Sequence, residues 1–332
     1  MSTPPSDRAT PTARPATGLQ VVTVRGPIEP DQLGVTLSHD HLIMDGFAMY
    51  GEATANYGWI LDDVAVAIAE VAAFRAAGGG AICDPTNEGL GRNPLALRAI
   101  SEATGVHVVM GSGWYREKVY PAYVREEMPD QLAERLVREL TVGVGETGVR
   151  AGFIGEIGTD RGSISPAQER VFRAAARAHR RTGCPILTHT THFGELALEQ
   201  LDLLAEEGVD PGRVIVSHLG DRVGIGSLRP IAERGAWLNV DNLGFSGGYA
   251  PLAVRADNIV ALWAAGFGGQ VMLSNDICLL DQLASYGGCG YANIQANVLP
   301  LLRARGLTAA EIETMLVANP ARAFAYEPGP VG

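Results

Sequence analysis

The sequence of 332 residues is almost devoid of lysine. Lys118 is the single lysine, so all other basic side chains apart from histidine are arginines. Schiff-base enzymes, Walker-type ATPases and metal sites bridged by a carboxylated lysine each need a lysine at a defined place. Lys118 lies in the run Tyr115-Arg-Glu-Lys-Val, which provides none of these contexts. The scarcity of lysine therefore excludes these three kinds of active site.

The sequence is also short of positive charge, closely spaced cysteines and long apolar runs. Lys plus Arg number 26 against 37 Asp plus Glu, which gives a net charge of −11. Nucleic acid is not expected as a partner, because phosphate neutralisation requires basic patches. The four cysteines show no C-x-x-C spacing, which argues against a zinc or redox motif and favours a reducing, cytoplasmic location. No apolar run reaches the ~18 residues of a membrane span, so a membrane partner is not expected.

The chain is predicted to begin with a disordered tail. Residues 1–18 are rich in Pro, Thr, Ala and Ser and lack the apolar segment of a signal peptide. Residues 19–332 show no domain boundary and are predicted to form one domain. The β-prone run 21–24 is interrupted by Gly26-Pro27, which predicts a short hairpin before the main fold.

A regular alternation of short apolar runs and helical patterns follows the hairpin. This alternation predicts parallel βα units, and eight repeats favour a closed (β/α)₈ TIM barrel over an open doubly wound sheet. The glycine-rich turn of an open sheet is replaced by Ser38-His-Asp-His-Leu. The predicted class is therefore an α/β barrel with C-terminal helices near 291–304 and 308–317. The strands are predicted at 35–40, 81–84, 106–111, 152–157, 185–189, 214–218, 237–241 and 271–276. The helices between them are predicted near 61–77, 94–104, 130–145, 166–182, 194–207, 226–234 and 254–265.

The strand ends carry metal-binding side chains. Side chains alternate along a strand, so His39 and His41 of the His-Asp-His run point the same way. Four further candidates end the fourth, fifth, sixth and eighth predicted strands: Glu156, His189, His218 and Asp276. A catalytic zinc usually takes three protein ligands, so six ligands at the C-terminal rim predict two divalent cations that share a carboxylate. Zinc is the first expectation, and manganese, cobalt, nickel and iron remain open.

Several runs, in order, resemble the phosphotriesterase family of the amidohydrolase superfamily. They are Thr23-Val-Arg-Gly-Pro-Ile, Leu37-Ser-His-Asp-His, Ala151-Gly-Phe-Ile-Gly-Glu-Ile-Gly-Thr, Leu187-Thr-His-Thr, Val216-Ser-His-Leu-Gly-Asp, Val271-Met-Leu-Ser-Asn-Asp and Asn319-Pro-Ala-Arg. The resemblance extends from about Thr23 over nearly the whole remaining chain. It implies a small-molecule substrate and a homodimer.

The resemblance also implies a role for each ligand. His39, His41 and Asp276 resemble ligands of the more buried metal, and His189 and His218 resemble ligands of the more exposed one. The best-known members bridge their metals with a carboxylated lysine, and an ungapped comparison places Gly155 there. The adjacent Glu156 resembles the bridging glutamate of the phosphotriesterase homology protein branch.

The expected function is hydrolysis of a carbonyl bond in an ester, lactone or N-acyl amide. A metal-bridging hydroxide would attack, and Asp276 would accept the proton and pass it to the leaving group. Asp221 is a candidate for orienting a ligand or Asp276, or is a solvated loop acid. Hydrolysis of phosphotriesters or phosphodiesters is the main alternative. A metal-binding barrel without catalysis is the remaining one.

Three residues are candidate substrate contacts. Tyr115 resembles a position where lactonase relatives have a tyrosine, although it could serve packing alone. Asn242 stands near a position where such relatives tend to have an arginine, which weakens the lactonase interpretation. Arg222 could bind an anionic substrate group or lie on the surface. The segment 276–290 is predicted to form a mobile wall over the pocket.

Overall fold

The computed structural model describes residues 18–51, 57–191 and 194–328. The predicted tail therefore lies outside the described residues except for Gly18. Within these three ranges, no helix is both long enough and apolar enough to cross a membrane.

Eight parallel strands form a nearly closed barrel, which confirms the predicted (β/α)₈ fold. Neighbours in sequence are neighbours in the sheet from the first strand to the eighth, so every connection passes through the outer layer of helices. Each strand lies within or overlaps a predicted apolar run. The barrel strands are Val35–Leu37, Gly79–Asp84, His107–Ser112, Phe153–Gly158, Ile186–His189, Val214–Val216, Trp237–Val240 and Val271–Leu273.

The seam between the first and eighth strands is closed just beyond the strands themselves. The amide of Asp276 donates to the carbonyl of His39 at 3.1 Å, and the amide of His41 donates to the carbonyl of Ile277 at 2.9 Å. The amide of His39 donates to the Ser274 hydroxyl at 2.9 Å. The segments that carry three candidate metal ligands therefore also join the two ends of the sheet.

The helices pack around the barrel in the order that the sequence predicts. Their apolar faces and the outward strand side chains form one large buried cluster. The described α-helices are Val64–Ala76, Pro94–Thr104, Ala122–Glu126, Pro129–Thr141, Pro166–Thr182, Ala197–Glu206, Arg229–Glu233, Leu252–Ala264, Leu299–Ala304, Ala309–Glu313 and Asn319–Phe324. The short helices Ala122–Glu126 and Asn319–Phe324 are additions to the predicted set.

A second apolar cluster joins the strands to both chain termini. Side chains from successive strands, such as Cys83, Phe153 and Leu187, pack with the end of the last helix. The rings of Phe153 and Phe324 meet edge to face at 5.5 Å. The predicted N-terminal hairpin is present as antiparallel strands Val21–Thr23 and Gly26–Ile28, and Val21 belongs to this cluster.

Helix Pro166–Thr182 shows how local sequence sets an element's limits. The amide of Gln168 donates to the Ser165 hydroxyl at 3.2 Å, and the Gln168 side chain accepts from the Ser165 amide at 3.0 Å. This reciprocal pair satisfies two amides that the first helical turn leaves unbonded. Gly183 ends the helix with φ 71°, a left-handed conformation that glycine adopts without a Cβ clash. Both limits confirm the prediction.

The chain after the first barrel strand contains structure that the sequence pattern did not predict. Residues Met44–Asp45 and Ile60–Leu61 pair as two short antiparallel strands. A π-helical turn at Phe47–Gly51 lies between them and carries Tyr50. The ring of Tyr50 stacks on Trp59 at 4.2 Å. This segment places aromatic side chains over the C-terminal end of the barrel.

Candidate metal centre

The six predicted ligands converge at the C-terminal end of the barrel. All six are buried, with exposed fractions between 0% for His39 and 8% for His189 and Asp276. Two groups of side chains have ligand atoms within 4.8 Å of one another: His39, Glu156 and His218, and His39, His41 and Asp276. The fold thus gathers residues from the first, fourth, fifth, sixth and eighth strand ends.

The Glu156 carboxylate lies at the centre of the histidines. Its Oε2 is 2.9 Å from His189 Nδ1 and 3.5 Å from His218 Nε2. Its Oε1 faces the other way and lies 3.6 Å from His41 Nε2. The Nε2 atom of His39 is 3.7 Å from Glu156 Oε2. Oε2 therefore faces three of the imidazoles and Oε1 faces the fourth, so this one carboxylate is within reach of ligands of both expected cations.

Asp276 completes the group around the first strand. Its Oδ1 atom lies 3.5 Å from His39 Nε2 and 3.7 Å from His41 Nε2. The buried Nε2 atom of His39 has no hydrogen-bond partner among the described residues. A buried polar atom without a partner is costly, so a cation at this position would satisfy it. The donor set therefore fits divalent metal ions.

Buried hydrogen bonds fix the orientation of three imidazoles. His39 Nδ1 lies 3.2 Å from the Ser217 hydroxyl and 3.3 Å from Asp241, while His218 Nδ1 lies 3.1 Å from Asp241. His41 Nδ1 lies 2.7 Å from the Thr86 hydroxyl. When Nδ1 carries the proton, Nε2 retains the lone pair that a metal needs.

His189 is oriented the opposite way. Its Nδ1 faces Glu156, and its Nε2 lies 3.2 Å from the Tyr115 hydroxyl. His189 would therefore offer Nδ1 to a cation, with Nε2 directed toward the tyrosine. The predicted contact residue Tyr115 thus touches a candidate ligand directly.

Asp241 was not among the predicted site residues. It directly follows the seventh barrel strand, is fully buried and contacts His39 and His218. Its position one residue beyond Val240 was a usable signal, because the other candidates occupy corresponding strand ends. The amide of His218 also donates to Asp241 at 2.8 Å, so this carboxylate fixes both backbone and ring.

Burial controls the protonation of the ligands. Burial, together with nearby histidine charges, lowers the pKa of His39 well below its usual value and that of His41 to about 3. These rings are therefore neutral and able to coordinate. Burial raises the pKa of Glu156 and of Asp276, since ionised carboxylates lose their hydration. Burial opposes protonation of His218, but the charges of Asp241 and Asp276 outweigh it and raise its pKa.

Two of the candidate ligands have strained backbones. His218 has φ 63° and Asp276 has φ 56°, in the left-handed region that residues other than glycine seldom adopt. Such strain persists only where surrounding structure imposes it, and it concentrates at functional sites. The chain after the sixth and eighth strands therefore turns sharply to aim these side chains into the centre.

Gly155 explains why the carboxylate comes from residue 156. A Cβ atom at position 155 would lie 2.2 Å from the carbonyl oxygen of Leu187, on the neighbouring strand. Its φ of 141° is also one that side chains disfavour. No side chain fits at position 155, so a lysine there is incompatible with this backbone.

We expect Gly155→Ala to lower the free energy of unfolding by about 3 kcal/mol or more, because it adds both backbone strain and overpacking. Urea denaturation of the metal-free protein measures this effect. Gly105→Ala is the matched control, since Gly105 has φ 72° but nothing within 4 Å of its Cβ position. Its expected cost is about 1 kcal/mol. Equal costs for the two variants would contradict the steric argument.

Asp40 clamps the barrel seam from the other side of the His-Asp-His run. Its Oδ2 accepts from the Ser274 hydroxyl at 2.6 Å and from the Asn275 amide at 3.2 Å. Its Oδ1 accepts from the Ile277 amide at 2.9 Å. The carboxylate is fully buried and holds the chain on both sides of Asp276. Asp40 therefore links the first strand to the segment that aims a candidate ligand.

We expect Asp40→Asn to lower the free energy of unfolding of the metal-free protein by about 3 kcal/mol, because an amide nitrogen would face hydrogen-bond donors. Metal binding should weaken as well, since the Asp276 segment loses its anchor. Urea denaturation and metal titration measure the two effects. The control is Asp62→Asn, which removes the charge of an exposed aspartate. It should change the free energy of unfolding by no more than about 0.5 kcal/mol. Unchanged stability of Asp40→Asn would contradict the clamp.

A cavity of about 430 Å³ opens above the metal centre. Of the predicted contacts, Tyr115 and Asn242 line it. Arg222 does not line it: its side chain is exposed, and its carbonyl accepts from Asn258 at 2.6 Å. Tyr50, which sequence reasoning missed, also lines the cavity, and its hydroxyl bonds to that of Tyr115.

Asp221 acts through Asn242 rather than on a candidate ligand directly. The Asn242 side chain donates to Asp221 at 2.6 Å, and its Oδ1 lies 3.2 Å from His218 Nδ1. Buried Arg255 pairs with Asp221 at 3.4 Å and donates to the backbone carbonyls of Asn242 and Phe245. This network holds the segment after the seventh strand against the cavity.

The segment 276–290 contributes mainly Asp276 and Cys278 to the cavity wall. Farther along, the Glu70 carboxylate accepts from the Ser285 amide and hydroxyl at 2.7 and 2.6 Å. It also accepts from the Ala284 amide at 3.1 Å. The middle of the segment is thus fastened to helix Val64–Ala76 rather than placed over the cavity, and its mobility stays a prediction.

The chain matches a known protein family over most of its length. The sequence profile of the Phosphotriesterase family matches residues 19–324. The chain belongs to the phosphotriesterase family. Its relatives include hydrolases of several kinds, and the chain is a metal-dependent hydrolase.

Three relatives illustrate the range of proteins to which this chain is similar. The phosphotriesterase homology protein of Escherichia coli is 36% identical over 296 residues, covering 89% of this chain and 99% of that protein. Its crystal structure, with phosphate in the active site, matches with a TM-score of 0.84 at 35% identity, covering 88% and 99% of the two chains. The N-acetyltaurine hydrolase of Danio rerio is 28% identical over 344 residues, covering 93% and 98%. A lactonase from Listeria monocytogenes matches with a TM-score of 0.86 at 28% identity, covering 92% and 98%.

Proposed function

We propose that this protein is a binuclear metal-dependent hydrolase that cleaves a carbonyl bond in an ester, lactone or N-acyl amide. The observation that carries the proposal is the position of Glu156, within 3.7 Å of a nitrogen of each of the four histidines. A single catalytic zinc usually takes three protein ligands, whereas a central carboxylate surrounded by four histidines and a second acid suits two cations that share it.

His39, His41 and Asp276 would hold one cation, and His189 and His218 the other, with Glu156 shared by both. Zinc is proposed for both positions, because imidazole and carboxylate ligands in a buried site suit it. When bound, such cations supply Lewis acidity that activates water and polarises the substrate oxygen.

The protein's own residues then position the substrate and move protons. Asp276 lines the cavity, with Oδ1 toward His39 and His41 and Oδ2 on its other side. This second oxygen would accept the proton of the attacking water and return it to the leaving group. The Tyr115 hydroxyl lines the cavity beside His189, where it can donate to a developing oxyanion.

Two relatives support a carbonyl substrate. The Danio rerio protein is named for hydrolysis of an amide, and the Listeria monocytogenes protein for hydrolysis of a lactone. A carbonyl transition state develops one oxyanion, to which the Tyr115 hydroxyl would donate a hydrogen bond. The aromatic walls of the cavity are also suited to an uncharged acyl or alkyl group.

Hydrolysis of a phosphoester is the second candidate. The Escherichia coli relative was crystallised with phosphate in its active site, so that centre accepts a tetrahedral phosphoryl oxyanion. A two-metal centre also suits in-line displacement at phosphorus. The two candidates share the same metal ligands and differ only in the substrate.

Metal analysis combined with a substrate panel tests the proposal. The purified protein should contain about two zinc ions per chain when fully loaded. The panel comprises a γ-lactone, an aryl ester, an N-acyl amino acid and a paraoxon-like phosphotriester. We expect higher kcat/KM for at least one carbonyl substrate than for the phosphotriester. The reverse order would favour the phosphoester candidate, and full metal loading without turnover would favour a non-catalytic metal-binding barrel.

A further inference from the structure

The charged residues of the cavity wall are concentrated on one side. Besides the candidate metal ligands, the described charged residues that line the cavity are Arg116, Arg161 and Glu195. They follow the third, fourth and fifth barrel strands, which are neighbours in the sheet. The segments after the first and seventh strands instead contribute Trp59 and Phe245. The mouth therefore has a charged side and an aromatic side.

Arg116 forms a fixed part of the charged side. Its Nε donates to Asp160 Oδ1 at 2.8 Å, and Asp160 Oδ2 accepts from Gln168 at 2.7 Å. The guanidinium lies 5.7 Å from the ring of Tyr115. Because Asp160 balances its charge and holds it in place, Arg116 shapes the wall without attracting an anion strongly.

Arg161 is in a different situation. Its side chain is 87% exposed and forms an ion pair with Glu195, at 3.4 Å. An exposed ion pair of this kind contributes little in water, so it can be exchanged for another anion. A guanidinium also matches carboxylate and sulfonate groups through two parallel hydrogen bonds. Arg161 is thus a cation at the cavity mouth whose weak ion pair with Glu195 can be replaced by an ion pair with a substrate anion.

We propose that the substrates are amphiphilic carbonyl compounds whose carboxylate or sulfonate group is bound by Arg161. Their apolar part packs on the aromatic side of the mouth, and the scissile bond lies over the metal centre. This inference rests on the proposed carbonyl hydrolase function. It replaces Arg222, which is exposed outside the cavity, as the residue that selects an anionic group.

Two matched substrate pairs test the charge requirement. Mono-4-nitrophenyl glutarate and 4-nitrophenyl valerate share a leaving group and differ in one anionic end on the acyl side. N-acetyl-β-alanine and its amide also differ in one anionic group, which here lies on the amine side of the scissile bond. We expect the wild type to show higher kcat/KM for the anionic member of at least one pair. This preference should weaken as ionic strength rises, because salt screens an exposed arginine.

Variants identify the residue responsible. Arg161→Met should lower kcat/KM for the preferred anionic substrate about tenfold, a typical effect of one charged hydrogen bond. Its activity on the neutral partner should stay within about twofold, since metal ligands are untouched. Glu195→Gln should raise the anionic preference, because it removes the competing carboxylate. Arg303→Met, which removes an exposed arginine from a C-terminal helix, controls for the change in net charge.

The outcomes separate this inference from the proposed function. A preference that survives in Arg161→Met, or disappears in Arg222→Met instead, would overturn the inference while leaving carbonyl hydrolysis intact. Failure of every carbonyl substrate would instead refute the proposed function. Binding of pentanesulfonate, which has no scissile bond, then decides the role of Arg161. Its Kd should rise about tenfold in Arg161→Met, and an unchanged Kd would overturn the inference.

Discussion

Glu156→Ala is expected to abolish paired metal binding and to lower kcat/KM by about a thousandfold or more. The reason is geometric: the Glu156 carboxylate faces His41 through Oε1 and the other three histidines through Oε2. Without it, each group of imidazoles loses an anionic ligand, and two cations would repel each other without a shared negative charge. Metal content per chain after dialysis measures the loss directly.

Two further variants show which property of Glu156 matters. Glu156→Gln preserves shape but removes charge, so it should also bind less than a full pair of metals. Glu102→Gln is an exposed helical control and should bind metal like the wild type. If Glu156→Gln retained both metals with full activity, a bridging carboxylate would not be required.

Bicarbonate gives an independent check on the bridge. Sites with a carboxylated lysine depend on carbon dioxide, whereas this chain has only Lys118, which lies after the third barrel strand. Its ammonium donates to the carbonyl of Met49 at 2.8 Å, beside the loop that carries Tyr50. Reconstitution of the metal-free wild type should therefore proceed equally well with and without bicarbonate. A bicarbonate requirement would refute Glu156 as the bridge.

The barrel and the metal centre could be predicted from sequence for one shared reason. Strand-forming runs are short and regularly separated, and parallel strands bring their C-terminal ends to one rim. Glu156 and His189 lie within their strands, so their neighbours across the barrel follow from strand order. The His-Asp-His spacing likewise fixes which side chains point together.

The contacts that sequence reasoning missed depend on irregular segments. Tyr50 reaches Tyr115 because an unpredicted strand pair and π-helical turn place it there. Arg161 and Arg222 both follow barrel strands, yet of the two only Arg161 lines the cavity, at its mouth. Side-chain alternation ends where a strand ends, so no periodic rule assigns a direction to such residues. Asp241 could have been predicted as a site residue because it follows a barrel strand. Its contacts with two histidines, however, are visible only in the folded site.

Asp276→Asn is expected to retain much of the bound metal and to lower kcat by about a hundred- to ten-thousandfold, the range of general acid–base catalysis. Asparagine keeps a neutral oxygen toward His39 and His41, but it cannot accept a proton. It also tolerates the left-handed backbone at this position, where φ is 56°, better than alanine does. The variant therefore separates proton transfer from folding and from metal binding.

Metal content, kcat and KM must be measured together for this variant. A role in proton transfer predicts a fall in kcat with metal content close to that of the wild type and KM little changed. A role only as a ligand predicts loss of metal and recovery of activity at high zinc concentration. Full activity at normal metal content would show that another group moves the proton. Asp241, fully buried behind His39 and His218, does not line the cavity, so it is not positioned to take over that role.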